Sequence, residues 1–114
     1  MSDNEIEKRI TLERSIVRSL IRHLKTAGFN LHAVNNGEEV ILVSKEAQAL
    51  DHVFSVDESS LRFQDTNGAG RHLVHGVLLV GGNGEDIISD WNYTDGDPDG
   101  FDKAMGTYLD TLTK

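Results

Sequence analysis

The sequence predicts an α+β domain in which helices pack on a mostly antiparallel five-stranded sheet. Three observations predict it. The first and last stretches carry apolar residues at helical spacings, five segments between them have strand-like composition or alternation, and short turns rich in glycine and asparagine join several of these segments. Turns this short favour antiparallel pairing. The expected order of elements is α-β-β-α-β-β-β-α, within a single domain over residues 1–114.

Residues 5–27 are expected to form the first helix. Asn4 and Thr11 are both suitable N-caps, so two starting points remain open. Gly28 is expected to end the helix, because glycine enters the left-handed conformation without strain. The apolar stripe of this helix consists of Ile6, Ile10, Val17, Leu20, Ile21 and Leu24.

The other elements follow from turn residues, alternation and apolar runs. The Asn36-Gly37 pair tolerates positive φ and indicates a hairpin between the first two strands. The nearly continuous apolar run His72–Val80 is typical of a central strand covered on both faces. Strict alternation in the last strand places Ile87 and Trp91 on one face and Ile88 on the other. The expected strands are 29–34, 39–44, 61–64, 72–80 and 86–93, and the later helices are 45–52 and 99–112.

Charge is unevenly distributed along this acidic chain. The formal net charge is −8, from 11 basic and 19 acidic residues. Residues 1–34 contain six basic and four acidic residues, whereas residues 35–114 contain five basic and fifteen acidic ones. A surface this negative repels phosphate backbones, which disfavours direct nucleic-acid binding. The expected partner is therefore a basic protein surface.

Several classes of protein are excluded by composition. The chain has no cysteine, which excludes disulfides, thiolate metal centres and cysteine nucleophiles. It has no apolar run long enough for a membrane span, and its acidic start is not followed by the apolar segment of a secretory signal. We therefore expect a cytoplasmic protein with no membrane partner and no cofactor. The sequence leaves homo-oligomerisation open.

No group of residues has the spacing of a known catalytic motif. His72 and His75 lie three apart in a predicted strand, so they point to opposite faces. The Gly81–Gly84 stretch joins two predicted strands and is followed by Glu85-Asp86 instead of a lysine and a helix, which indicates a turn and not a phosphate loop. An enzyme that uses His52 or His75 with a nearby carboxylate is the lowest-ranked hypothesis.

The leading hypothesis is a small non-catalytic binding or regulatory module with an acidic, aromatic-containing face. Residues 85–110 contain eight acidic residues and one basic residue. Tryptophan and tyrosine are frequent interface anchors because their rings are both apolar and hydrogen-bonding. The alternative interpretation is that the rings fill the core and the aspartates supply solubility. The predicted partner-binding residues are Asp86, Asp90, Trp91, Tyr93, Asp95, Asp97 and Asp99.

A second hypothesis is weak divalent-cation binding, most simply of calcium, in the Asp-Gly-Asp-Pro-Asp-Gly stretch. Asp95, Asp97 and Asp99 alternate like the first ligands of a calcium loop. The twelfth position, which should supply a bidentate glutamate, is Gly106. The alternative interpretation is a turn in which Asp97 or Asp99 caps the last helix.

A basic stripe on the first helix has two interpretations as well. Arg14, Arg18, Arg22 and Lys25 recur at spacings of four, four and three. The stripe either docks an acidic partner or nucleic acid, or is a solvated helix face paired with acids of the same domain. The second interpretation is favoured because charged stripes commonly serve only to keep helices hydrated.

One segment resembles known sequences. The stretch His75–Trp91, with the sequence HGVLLVGGNGEDIISDW, resembles segments of small uncharacterised proteins carried by bacterial phages, plasmids and related elements. The resemblance implies a bacterial or phage setting. It includes no catalytic motif, so it implies no functional residue.

Overall fold

The computed structural model describes residues 3–65, 74–82, 84–92 and 100–112. It confirms the α+β class and the order of elements. A short 3-10 turn at Gly84–Asp86 precedes the last strand. The bounds are α1 Asp3–Thr26, β1 Phe29–Asn35, β2 Val40–Leu42, α2 Glu46–Val53, β3 Glu58–Asp65, β4 Val74–Val80, β5 Ile88–Asn92 and α3 Phe101–Leu112.

All strand pairs are antiparallel, in the order β2-β1-β3-β4-β5. Sequential strands are neighbours everywhere except across α2, which connects the edge strand β2 to β3 near the centre of the sheet. The edges are therefore β2 on one side and β5 on the other.

The helices lie against one face of the sheet. Buried residues of α1, α2 and α3 form one apolar cluster with alternate strand residues, among them Phe29, Leu61, Phe63, Val77 and Leu79. In the described part of the chain, no helix covers the other face, which we call the open face. The expectation that β4 is covered on both faces was wrong: its residues alternate between buried and half-buried, as in a sheet with one packed side.

α1 is a single helix that starts at Asp3, before both proposed caps. Its 24 residues span about 36 Å, whereas the seven residues of β1 span about 23 Å, so the helix is longer than the strand beside it. Ile6 and Ile10, expected in the buried stripe, are consequently 36% and 37% exposed. Gly28 follows the helix with a φ of 102°, as expected of a left-handed cap.

The first hairpin is closed by the side chain of Asn36. The register Asn35 to Val40 leaves a connection of residues 36–39. The Asn36 Oδ1 atom accepts hydrogen bonds from the backbone N–H groups of Glu38 and Glu39, each at 3.0 Å. Gly37 has a φ of 95°, which only glycine adopts without strain. The predicted hairpin is confirmed, with a shorter second strand than expected.

A β-bulge in β5 changes which residues face the core. Leu78 pairs with Asp90, but the next residue of β4, Leu79, pairs with Ile88, so Ser89 is the extra residue. Ile88 and Trp91 therefore lie on the same face and both pack against the core. The prediction that they lie on opposite faces was wrong, because strict alternation does not allow for the bulge.

A buried carboxylate ties α1 to the connection after β4. Glu13 is 2% exposed, and its Oε2 atom accepts hydrogen bonds from the backbone N–H groups of Gly82, at 2.8 Å, and Gly84, at 3.2 Å. Arg9 lies one turn earlier, with its Nε atom 3.8 Å from Glu13 Oε1. The glycine-rich turn thus does bind an anion, and that anion is a carboxylate of the same chain.

Glu13→Ala is expected to lower the free energy of unfolding by about 2 kcal/mol, because hydrogen bonds to a charged group contribute about 1.5–3 kcal/mol. Urea unfolding measures the change. Glu7→Ala, at an exposed position of the same helix, is the control and should change stability by less than about 0.5 kcal/mol. Equal stabilities for the two variants would contradict the role assigned to Glu13.

The C-terminal helix is fixed to α1 by Tyr108. Its hydroxyl donates to the backbone carbonyl of Ile16 at 2.7 Å, and its ring lies 5.4 Å from that of His23. Burial raises the pKa of Tyr108 above its ordinary value, and a hydrogen bond with Ser19 partly offsets the rise. The neutral phenol is thus favoured in the folded state.

Because the pKa of Tyr108 is higher in the folded chain than in the unfolded chain, its contribution to stability is complete below the unfolded pKa of about 10 and is lost as pH rises through the folded pKa. Ultraviolet titration should detect a late-ionising tyrosine that is removed by Tyr108→Phe and retained in Tyr93→Phe. If the Tyr108→Phe variant still shows a tyrosine that ionises at unusually high pH, the assignment of that ionisation to Tyr108 is contradicted.

Candidate functional site

The predicted acidic face is described only in part. Asp86 is exposed in the 3-10 turn, and Asp90 is exposed in β5. Tyr93, Asp95, Asp97 and Asp99 lie outside the described residues. The proposed calcium ligands therefore stay a prediction, and within the described ranges no group of three or more potential ligands is arranged to hold a metal ion.

Trp91 lies on the opposite face of β5 from Asp90. The register pairs it with the buried residue Val77, and its half-buried ring packs against the core. Its indole Nε1 donates to the Oδ1 atom of Asp102 at 2.9 Å, which links β5 to the first turn of α3. The Trp91 ring and the Asp90 side chain therefore point to opposite faces of this edge strand.

The basic stripe of α1 is largely occupied by contacts within the chain. The guanidinium of Arg22 donates two hydrogen bonds of 3.0 Å to the carboxylate of Glu46 in α2. Arg18 lies 3.1 Å from the same carboxylate. Arg14 stacks over the ring of Phe54, 4.9 Å from its centroid. These contacts support the interpretation of a helix face paired within its own domain.

His75 is built into the core. It has no exposed surface, its ring stacks on Phe101 with 4.6 Å between centroids, and Phe29 contacts it edge-on at 5.4 Å. His52 is half-buried in α2. The His75 ring is therefore packed between aromatic side chains, where neither solvent nor a dissolved substrate contacts it.

The open face presents two rows of side chains that the strand register aligns. Neighbouring strands are about 4.8 Å apart and successive residues of one face about 6.7 Å apart, so each row crosses the sheet roughly at right angles to the strands. The first row is Leu42, Ala33, Arg62, Gly76 and Asn92. The second row is Val40, Asn35, Ser60, Leu78 and Asp90.

A groove of about 470 Å³ lies across these rows, and we call it the open groove. Gly76 forms part of its floor, since it has no side chain between Arg62 and Asn92. A Cβ atom at this position would stand 3.9 Å from the Asn92 amide nitrogen, which is ordinary contact. The lining residues are Asn35, Ser60, Arg62, Gly76, Leu78, Asp90, Trp91 and Asn92.

The open groove offers hydrogen-bonding groups of both kinds. Asparagine amides and a serine hydroxyl each donate and accept, a guanidinium only donates, and an ionised carboxylate only accepts. Arg62 and Asp90 belong to different rows and, among the described residues, form no salt bridge with each other. This arrangement suits an extended polar chain better than a compact apolar ligand.

Of the groove residues, only Asp90 and Trp91 were predicted from the sequence as site residues. The other polar groove residues come from three strands, with Asn35 in β1, Ser60 and Arg62 in β3 and Asn92 in β5, and each alone is an ordinary polar residue. The signal that joins them is the strand register, which depends on hydrogen bonding between distant segments. Glu13 was missed as well, because nothing in the sequence marks it as buried.

Comparison with known proteins adds no further assignment. No protein-family model matches the chain, and neither a curated protein nor a solved structure matches it. The resemblance of residues 75–91 to phage and plasmid proteins therefore stays an expectation. Among the described helices, none combines the length and apolar character that crossing a membrane requires.

Trp91 is the only tryptophan of the chain, so it reports directly on its contact with Asp102. Asp102→Ala is expected to shift the fluorescence emission to the red and to lower the free energy of unfolding by about 1 kcal/mol, because a hydrogen bond to a carboxylate is lost. Lys103→Ala, at the next exposed position of α3, is the control and should change neither. An unchanged spectrum in Asp102→Ala would contradict the contact.

Proposed function

We propose that the chain is a non-catalytic protein-binding module that holds a basic, extended segment of a partner protein in the open groove and along β5. The observation that carries the proposal is the polar groove on a sheet face that no described helix covers. A face of this kind is normally packed or solvated, and a concave groove across it is a suitable binding surface.

The composition of the groove supports a polypeptide ligand. The amides of Asn35 and Asn92 and the hydroxyl of Ser60 can each pair with peptide N–H and C=O groups. Leu78 provides an apolar contact between them. Arg62 can hydrogen-bond backbone carbonyl groups or an acidic side chain of the segment. A bound strand would therefore be recognised mainly through its backbone.

The negative charge at the groove and over the whole chain favours a basic segment as the ligand. The exposed carboxylate of Asp90 lies at the groove, Asp86 lies just before β5, and the chain as a whole carries a net charge of −8. The negative electrostatic potential of these charges speeds association with a positively charged partner, and this effect weakens as the salt concentration increases. Tyr93, Asp95, Asp97 and Asp99 follow β5 in sequence, and under this proposal they also take part in partner binding.

Affinity capture from bacterial lysate with the wild type and three variants as baits tests the proposal. Gly76→Val fills the floor of the groove, and Asp90→Lys reverses its charge. Asp51→Lys makes the same charge reversal on α2, at an exposed position in the helical layer. We expect a basic partner that the wild type and Asp51→Lys recover and that the two groove variants bind about tenfold more weakly, a loss of about 1.4 kcal/mol.

Binding of the recovered partner should also weaken as ionic strength rises, because Asp90 is exposed. Circular dichroism of each bait verifies that it is folded. Recovery of the same proteins by all baits, or of none by the wild type, would overturn the assignment of the groove as the interface.

A further inference from the structure

The edge strand β2 has an unusual surface for an unpaired edge. It pairs with β1 and with no other described strand. Its side chains on the open face are apolar: Val40 is 48% exposed and Leu42 is 72% exposed. Exposed apolar edge strands pair readily with other strands, and monomeric proteins usually protect them with charges, prolines or bulges.

The hydrogen bonds of the hairpin show which backbone groups of β2 point outward. Asn36 donates to the carbonyl of Glu39, and Val43 donates to the carbonyl of His32. Hydrogen-bonded pairs alternate in an antiparallel ladder, so Ile41 bonds to β1 between these two positions. The N–H and C=O groups of Val40 and Leu42 therefore point away from β1, toward the open edge.

The other edge of the sheet is protected. β5 is interrupted by the bulge at Ser89, and the carboxylate of Asp90 accepts a hydrogen bond from the backbone N–H of Trp91 at 2.8 Å. A bulge and an inserted carboxylate are both devices that discourage strand addition. β2, whose three residues are all apolar, has neither.

We propose that β2 pairs with β2 of a second copy of this chain, antiparallel, about a two-fold axis at Ile41. In this register Val40 of each copy is opposite Leu42 of the other. These are the residues whose backbone groups point outward, so the symmetric pair forms four hydrogen bonds. The same pairing places each exposed Val40 side chain beside a Leu42 side chain on the open face and covers both.

The charges that flank β2 are complementary in the same register. Glu38 and Glu39 precede the strand, and Lys45 follows it; all three are exposed. The two-fold axis sets Lys45 of one copy near the hairpin turn of the other, which carries Glu38 and Glu39. Parallel pairing of the two β2 strands would instead bring Glu38 and Glu39 of both copies close together. Charge thus favours the antiparallel pair and disfavours the parallel one.

Two single-cysteine variants of this cysteine-free chain test the register. Residues at position 41 of the two copies would form a non-hydrogen-bonded pair, with Cα atoms about 4.5 Å apart, which suits a disulfide. Residues at position 40 of the two copies would be diagonal neighbours about 7–8 Å apart, which is too far for an unstrained disulfide. We expect Ile41→Cys to form a disulfide-linked dimer at least about tenfold faster than Val40→Cys under mild oxidation.

Exposure alone predicts the reverse order, since Val40 is exposed whereas Ile41 is half-buried against the core. Faster cross-linking of Val40→Cys, or equal rates, would therefore overturn the proposal. Circular dichroism of both variants before oxidation ensures that folded chains are compared.

Sedimentation equilibrium tests the charge contribution without a cysteine. The wild type is expected to reach twice the mass of the 12.6 kDa chain as its concentration rises. Lys45→Glu should raise the dissociation constant of the dimer by roughly five- to tenfold, and a second substitution, Glu38→Lys, should restore it. A wild type that stays monomeric at millimolar concentration, or a Lys45→Glu dimer of unchanged affinity, would overturn the proposal.

Discussion

One-sided burial of the sheet is the constraint on which the rest of the structure depends. The three described helices cover a single face, and the aromatic contacts among Phe29, His75 and Phe101 join β1, β4 and the start of α3 on that face. The apolar side chains that this packing requires occupy alternate positions of the strands. The other strand positions face away from the core, on the open face, and include the polar residues of the open groove.

Local signals in the sequence predict the elements well and their register poorly. Gly28 and the Asn36-Gly37 pair identify their turns because positive φ is a property of single residues. The bulge at Ser89 and the pairing of residues 58–60 with β4 arise from contacts between strands, which no local pattern encodes. The exposure of Ile6 similarly reflects the length of α1 relative to the sheet.

The same distinction separates the predicted site from the described one. Composition indicated an acidic chain in which the single tryptophan follows an aspartate. It did not indicate that Trp91 and Asp90 face opposite sides of β5, or that Arg62 lies in the row between Ala33 and Gly76. A binding surface on a sheet is built from residues far apart in sequence, so its composition becomes visible only with the strand pairing.

Placing all three helices on one side of the sheet also fixes the geometry of any assembly formed edge to edge. A two-fold axis that passes through the β2 edge runs normal to the sheet, so both copies turn their grooves toward the same side. A ligand with two suitably spaced segments would then be held bivalently, and its second segment would bind at a high effective concentration. Such avidity allows a shallow polar groove of modest intrinsic affinity to retain a partner that carries repeated segments.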